Sequence, residues 1–459
     1  MYQVNFNNPI HIYFIGIGGI SMSGLAEILL DKNFTVSGSD MKESDLTRFL
    51  AGKGANIVYG QRYENITDDI DVIVYTSAIK EDNPEWQAMQ DKKIPSLSRA
   101  QLLGQLMKNY ELPVAVSGTH GKTTTTSMIS EILLAADTDP TLSIGGIFKS
   151  IGGNIRVGKG KYFVTEACEY TNSFLSFFPK TAIVLNVEED HLDFFKDLAD
   201  IRNSFYQFVK LLPSDGTLII NSDIDNYKDF YKDLKCTVTT YGFSENDDYY
   251  AHDISYDENG YPTFKVTIKG GESFIYSLSV PGIHNISNSL ASIAFADLEG
   301  IDHATIAKAL KAFRGTDRRF EYKGSIGGVT IIDDYAHHPT EIRATLTAAK
   351  NYPHKHLWCV FQPHTYTRTK AFLDEFAEAL SLAENIILAD IYAARETDTL
   401  GISSKTLQAK IEELGKTCYY FPSFDEIENF LLEKCINGDM LITMGAGDVV
   451  KIGENLIGK

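Results

Sequence analysis

The residues most able to do chemistry stand in one short run, Gly118-Thr119-His120-Gly121-Lys122-Thr123-Thr124, which follows the apolar stretch Val114-Ala-Val-Ser117 and leads into a helix-forming segment, Thr125 to Ala136. An apolar strand entering a glycine-rich loop and then a helix is a phosphate cradle. Glycines let backbone N–H groups converge on a polyphosphate and the helix N-terminus adds partial positive charge. A lysine at the place of Lys122 reaches the β/γ oxygens, and the Thr123 hydroxyl can hold Mg²⁺. The loop is shorter than the usual G-x-x-x-x-G-K-[ST], and a plain strand-to-helix turn is the alternative.

Further polar groups fall at the ends of other apolar runs. The opening turn Gly16-Ile-Gly18-Gly19-Ile-Ser21-Met-Ser-Gly24 follows a strand, and Asp40 ends the next one, as in a dinucleotide-binding entry, although Ser21 occupies the third-glycine position. Glu166 sits just past a strand, and a later one ends in Glu188-Glu189-Asp190-His191. Carboxyl ends of parallel strands line the ligand crevice, so these groups can share a mouth with the phosphate loop. A carboxylate near Thr123 completes a Mg²⁺ shell and a neutral imidazole holds a second ion; helix capping by the acidic residues is the competing use. Asp333-Asp334-Tyr335-Ala-His337-His338-Pro339-Thr-Glu341 and Gln362-Pro-His364-Thr-Tyr-Thr-Arg368 repeat the pattern, with Arg368 suited to a carboxylate. His337-His338 lack a third ligand at zinc spacing.

The elements that must position these groups alternate strand-like and helical, the pattern of parallel sheets covered by helices. One series opens with Ile10–Ile15, passes through Thr35-Val-Ser and Val72–Thr76, and ends in the helical Arg99 to Asn109, with a break at Glu111-Leu-Pro113. A second contains Tyr162–Thr165, Ala182–Asn186 and Thr217–Ile220, then a Tyr/Asp-rich alternating region, 237 to 280, read as antiparallel strands, and the helix Ser287 to Asp297. The basic junction Arg314–Arg319 leads to a third, with strands at Val329–Ile332, Leu357–Phe361, Ile386–Leu388 and Leu441–Thr443. A chain of 459 residues, 44% apolar, suits about three domains of ~150 residues.

Composition bounds the partners. A net charge of -19, from 42 basic and 61 acidic residues, with no Lys/Arg run, argues against an extended nucleic-acid or anionic-membrane surface. No apolar run reaches the ~18 residues of a membrane span, and the N-terminus does not read as a signal peptide, so the expected location is cytoplasmic. Five cysteines, Cys168, Cys236, Cys359, Cys418 and Cys435, without a C-x-x-C pair fit reduced thiols.

Taken in order, Gly16–Gly24, Gly118–Thr124, Asn186–Asp193, His284-Asn285-Ile-Ser-Asn288, Arg318-Arg319-Phe320, Asp333–Glu341 and Gln362–Thr369 resemble the motifs of the Mur ligase family over essentially the whole chain, and its alanine-adding branch most closely. The resemblance implies an α/β protein of three domains: a Rossmann-like UDP-sugar-binding domain at 1–110, a central P-loop ATPase at 111–316 with a parallel sheet plus a small antiparallel region, and a Rossmann-like amino-acid-binding domain at 317–459. It implies ATP and Mg²⁺ as cofactors. The implied activity joins L-alanine to the carboxylate of UDP-N-acetylmuramate through an acyl phosphate, in a monomer or weak homodimer. Gly118, Thr119, His120, Gly121, Lys122, Thr123, Thr124, Asn285, Asn288, Arg319 and Asp334 would hold the nucleotide, and Thr123, Glu166 and His191 the metal. Gly18, Gly19, Ser39, Asp40, Ser77, Tyr335, His337 and Arg368 would contact the other substrates, with Lys122, His191, Arg319 and Arg368 catalytic.

Two departures stand out. Ala167-Cys168-Glu169-Tyr170 replaces the frequent A-D-E-S after the metal-binding glutamate, and Thr365 stands where many members carry arginine. The segment Ile201–Tyr206 offers no lysine for carbamylation, as is usual in the alanine-adding branch. The rivals are the related ligase that adds a recycled tripeptide to the same sugar nucleotide, an NAD-dependent dehydrogenase, and a nucleotide sensor without turnover. Catalytic groups spread over three domains imply that ligands drive domain closure.

Overall fold

The computed structural model describes residues 2–76, 79–394 and 396–459. Three sheets follow one another along the chain. The first is five-stranded and parallel: β1 His11–Ile15, β2 Thr35–Asp40, β3 Asn56–Tyr59, β4 Val72–Tyr75 and β5 Ser96–Ser98, in the order β3-β2-β1-β4-β5. Its strands β1 and β4 read as apolar runs because helices cover both faces, whereas β2, Thr-Val-Ser-Gly-Ser-Asp, is mostly buried despite its polar sequence.

The second sheet has ten strands: β6 Leu112–Ser117, β7 Thr141–Phe148, β8 Gly153–Arg156, β9 Tyr162–Ala167, β10 Thr181–Val184, β11 Thr217–Asn221, β12 Thr237–Gly242, β13 Tyr249–Tyr256, β14 Pro262–Ile268 and β15 Ser273–Ser277. The order is β15-β14-β13-β12-β11-β10-β6-β9-β7-β8. The 237–280 region is antiparallel only from β13 onward, since β12 pairs in parallel with both β11 and β13. Its buried Tyr241 and Gly242 extend the parallel core, which the alternation of the region conceals. The break foreseen at Glu111-Leu-Pro113 is instead the start of β6, where Pro113 pairs with Phe163 near the beginning of the strand, a tolerated position.

The third sheet contains β16 Glu321–Ile326, β17 Val329–Asp334, β18 Leu357–Phe361, β19 Asn385–Leu388, β20 Cys418–Tyr420 and β21 Met440–Met444, ordered β16-β17-β21-β18-β19-β20, with only β16 antiparallel.

The first sheet does not keep its core to itself. One apolar cluster runs from Ile12, Phe14 and Val36 through Leu102 and Leu106 to Phe174, Phe205 and Phe208 of the second unit. The helix Arg99–Met107 is drawn so close that a Cβ on Gly104 would lie 1.9 Å from the Ser176 carbonyl oxygen. Asn154 Nδ2 donates to the Ile20 carbonyl at 3.0 Å, fixing the helix Ile20–Asp31 from the other side. No helix among the described residues is long and apolar enough to cross a membrane.

Gly104→Ala should lower stability by about 1–3 kcal/mol through overpacking. Gly52→Ala, where nothing lies within 4 Å of the added carbon, should leave it unchanged or raise it by about 0.5–1 kcal/mol. Thermal unfolding of the two variants checks this; equal losses would mean that the Gly104 contact does not set the packing.

Candidate active site

The phosphate loop is built by two residues with positive φ, Gly118 at 147° and Gly121 at 84°, and the helix Lys122–Ala135 begins directly after them. That is three residues earlier than the apolar pattern indicated, so Lys122 lies in the first turn and its ammonium folds back over the loop. It donates to the Gly118 carbonyl, to the Thr119 carbonyl at 3.0 Å and to Glu169 Oε2 at 3.0 Å. Burial lowers its proton affinity, but Glu169 outweighs that and raises it. Glu169 is itself buried and lies 3.8 Å from His191 Nε2. Motif reading gave Glu169 no role; its place three residues past Glu166 was the available signal.

Glu166, expected just past a strand, lies inside β9 one residue before its end and accepts from the Gly145 amide at 2.6 Å. A Cβ on Gly145 would sit 2.7 Å from Glu166 Oε2, and one on the adjacent Gly146 would sit 3.4 Å from Thr123 Cγ2. Thr123 and Glu166 therefore meet over the same glycine pair of β7, and a hydroxyl with a carboxylate is an oxygen donor set that fits Mg²⁺. His191 packs against Tyr170 in a tilted arrangement with ring centroids 4.5 Å apart and stands 3.8 Å from Asp190 Oδ2.

The third unit docks on this face. Arg368 donates to Asp190 Oδ1 from Nη2 at 2.8 Å and from Nε at 3.2 Å; despite burial, that guanidinium holds Asp190 well below the usual carboxylate range. Thr365, which caps the short helix Tyr366–Ala371, accepts from the Arg368 amide at 3.4 Å and so helps aim the arginine. These residues, with Tyr170, His191 and Glu396, line a cavity of about 510 Å³.

A second cavity, about 460 Å³, opens between the phosphate loop and the third sheet, lined by His120, Gly121, Thr124, Asn285, Asn288 and Arg319 among others. Asn288 faces Gly121, leaving only 2.5 Å between its Oδ1 and a Cβ placed there. Asn285 donates to the Pro281 carbonyl at 2.7 Å. Asp334 borders the cavity but accepts from the Phe320 and Ala336 amides and from Thr345 Oγ1, and burial raises its carboxyl to about 6. Arg319 lies 3.6 Å from Glu341, and the guanidinium carbons of Arg318 and Arg319 lie 4.9 and 5.3 Å from the Tyr335 ring centroid. His337 is pushed down to about 4 by burial, with Glu341 Oε2 at 3.4 Å from its Nδ1.

The first sheet's candidates stand apart from these two cavities. Gly18 N donates to Asp40 Oδ2 at 2.8 Å, and the Ser39 carbonyl accepts from Gly16 N and Ile17 N. The Ser39 hydroxyl is committed inward: it donates to the buried Glu85 at 2.6 Å, which also takes Tyr13 and Asn65. Ser77 lies outside the described residues.

His120, expected among the loop residues that hold the nucleotide, also joins two units. Its Nδ1 is 3.2 Å from Glu341 Oε1 and its Nε2 is 3.6 Å from Glu188 Oε2. Burial lowers the imidazolium pKa, but the two carboxylates outweigh it and raise it to about 9. Beside it Thr340 Oγ1 donates to Glu188 at 2.7 Å and His338 Nε2 lies 3.0 Å from the Glu189 carbonyl oxygen.

Three α/β units with a phosphate loop in the middle one, and the third closed over it, define a class of nucleotide-dependent ligases. Residues 11–111 match the catalytic domain of the Mur ligase family, 116–296 its middle domain and 318–447 its glutamate ligase domain. UDP-N-acetylmuramate--L-alanine ligase of Agathobacter rectalis is 59% identical over 459 residues, and that of Lachnospira eligens 60% over 458, each match covering 100% of both chains. The crystal structure of UDP-N-acetylmuramate-alanine ligase from Thermotoga maritima superposes with a TM-score of 0.82 at 28% identity, covering 98% of each chain. A murein peptide ligase from Psychrobacter arcticus gives 0.71 at 26%, with the same coverage. The chain belongs to the Mur ligase family.

The raised His120 pKa has a stability sign. A group whose pKa rises on folding from ~6.5 contributes fully below that value and loses its contribution as pH climbs through the folded one. The stability advantage of the wild type over His120→Gln should therefore be on the order of 2–3 kcal/mol near pH 6 and shrink between about pH 6.5 and 9. Thermal unfolding of both proteins across that range measures it; a difference that grows with pH would reverse the assignment.

Proposed function

We propose that this chain is an ATP-dependent ligase that joins L-alanine to the carboxylate of UDP-N-acetylmuramate, a step of peptidoglycan precursor synthesis. The reading rests on the meeting of Lys122, Glu169 and His191 with the Asp190–Arg368 pair at one seam, in a chain 59% identical over its full length to a ligase of that name. Cavity size fits the substrates: about 460 Å³ lies beside the loop for a nucleotide and about 510 Å³ around Arg368. We divide the chain at 1–110, 111–316 and 317–459 for sugar nucleotide, ATP and amino acid.

In this mechanism the muramoyl carboxylate attacks the γ-phosphorus and breaks its bond to ADP. The amine of alanine then attacks the acyl phosphate, and inorganic phosphate leaves to give the amide. Like charges meet in the first step. Lys122 sits where it can exchange Glu169 and the loop carbonyls for phosphate oxygens, and Arg319 reaches the same cavity from the third unit. Thr123 and Glu166 would hold Mg²⁺, with His191 toward a second ion, and these ions would neutralise phosphate charge. Asn285 and Asn288 border the nucleotide together with the loop residues Gly118, Thr119, His120, Gly121 and Thr124, while Asp334 acts from its inward bonds as a support. Gly18, Gly19 and Asp40 form the sugar-nucleotide turn. Arg368, with Tyr335 and His337 behind it, meets the amino-acid carboxylate by exchanging Asp190 for it. We place the enzyme in the cytoplasm as a monomer or weak homodimer.

Phosphate release from ATP should require UDP-N-acetylmuramate and be fastest with L-alanine among L-alanine, glycine, L-serine and the Ala-Glu-diaminoacid tripeptide. Preference for the tripeptide would make it the recycling ligase, and no release with any acceptor would sink the proposal. Lys122→Met should reduce kcat by roughly 10³-fold or more, in line with loss of a principal electrostatic group at phosphoryl transfer, with folding retained.

A further inference from the structure

Building on the sugar-nucleotide reading above, we propose that Arg99 binds the carboxylate of the incoming sugar nucleotide and presents it to the phosphate site. Arg99 is the first residue after β5 and opens the helix Arg99–Met107, at the carboxyl end of the first sheet, where ligands of open parallel sheets bind. The position is tightly fixed. Ser98 and Gln101 form a reciprocal cap at the start of the helix, and Gly104 seats it against the Ser176 carbonyl of the second unit.

Across the seam from Arg99 stand Glu166, one residue before the end of β9, and the neutral thiol Cys168 just beyond it; Glu166 is the carboxylate whose charge acts on the guanidinium. Arg99 is half-buried, and its guanidinium takes part in no hydrogen bond or ion pair among the described residues. The other arginines at the site are engaged. Arg318 reaches Asp333 and the Gly445 and Gly447 carbonyls, Arg319 lies beside Glu341, and Arg368 holds Asp190. Glu166 does not pair with Arg99, because its carboxylate turns to the Gly145 amide. A guanidinium with five donors and no protein acceptor is available to an arriving anion.

The reaction supplies the anion. Its nucleophile is a carboxylate that must approach a triphosphate of like charge, and Lys122 and Arg319 stand on the phosphate side. Arg99 is the cation on the opposite, sugar-nucleotide side, next to Glu166. A planar guanidinium holds a carboxylate through two parallel N–H donors and so fixes which oxygen faces the phosphorus. When the carboxylate oxygen bonds to phosphorus and ADP leaves, the acyl group loses its negative charge. The pair with Arg99 is thereby weakened, which favours passage to the amine.

The test combines equilibrium binding and steady-state kinetics of the full chain and of Arg99→Gln and Arg99→Lys. Wild-type turnover with UDP-N-acetylmuramate, ATP and L-alanine is measured first, so that failure of the ligase reading shows there. Arg99→Gln should raise Kd and KM for UDP-N-acetylmuramate roughly 10- to 100-fold, the worth of a charged hydrogen-bonded contact, with KM for ATP and thermal stability unchanged. Arg99→Lys should recover part of the loss, since it restores charge without the fork. UDP-N-acetylglucosamine, which has the diphosphate but no carboxylate, should bind wild type and Arg99→Gln alike. Equal weakening of both sugar nucleotides would assign Arg99 to the diphosphate and overturn the proposal. Unchanged binding of UDP-N-acetylmuramate in a wild-type-active background would overturn it while leaving the ligase standing.

Discussion

A lysine enclosed by protein keeps its charge only if an anion stands beside it, and the site is organised around meeting that condition for Lys122. Glu169 meets it from the segment after β9, and the Gly118 and Thr119 carbonyls take the remaining donors. The ammonium thus holds the loop in shape from within, so a polyphosphate finds the backbone amides already arranged. Glu169 also lies 3.8 Å from His191 Nε2, which ties the acidic segment to the loop after β10. The rest follows from geometry: β6 and β9 are neighbours in register, Ser117 opposite Ala167, so the loop and the acidic segment leave the sheet side by side.

The seam with the third unit repeats this logic with partners drawn from different sheets. Arg368 with Asp190, His120 with Glu341, and Thr340 with Glu188 each link the central unit to the third. Exposed ion pairs contribute little, but Asp190 and Arg368 are both about nine-tenths buried, with side-chain exposures of 8% and 10%, so breaking one partner leaves a charge without solvent or counterion. Closure is therefore cooperative: the groups that make it favourable are those whose separation would expose unmatched charge at several points together. Under the proposed function, ligand charges would replace members of these pairs and so bias the same seam without rebuilding it.

Much of this was legible in the sequence because parallel sheets place strand-end residues on one side. Gly118–Thr124, Glu166, His191 and Arg368 could be located by reading where apolar runs stop, and the α/β pattern follows from the same runs. What could not be read were pairings between elements distant along the chain. Asp190 with Arg368 and His120 with Glu341 are set by how sheets dock, and no periodicity encodes that. Ser39 shows the opposite error: at a strand end next to Asp40 it suits a ligand, but its side chain points to Glu85, a buried carboxylate on a helix whose local pattern gives no hint of burial. The region 237–280 misled for a related reason, since β12 alternates like an exposed antiparallel strand while lying beside β11 in the parallel core.

Thr365 brings these threads together. Its φ of 66° and ψ of 147° put a β-branched residue where such side chains are rarely found, a conformation costing on the order of 1–3 kcal/mol. The surroundings hold it there. Its amide donates to the Tyr392 carbonyl at 2.9 Å, its carbonyl accepts from Thr369 Oγ1 at 2.6 Å and its hydroxyl takes the Arg368 amide. A glycine would relieve the torsion but lose the hydroxyl, and an arginine would add charge yet give up the cap. The strain is tolerable because it fixes the helix turn from which Arg368 spans to Asp190, where a small error in aim would unpair a buried carboxylate. The Thr365 hydroxyl thus contributes to control of the arginine three residues on.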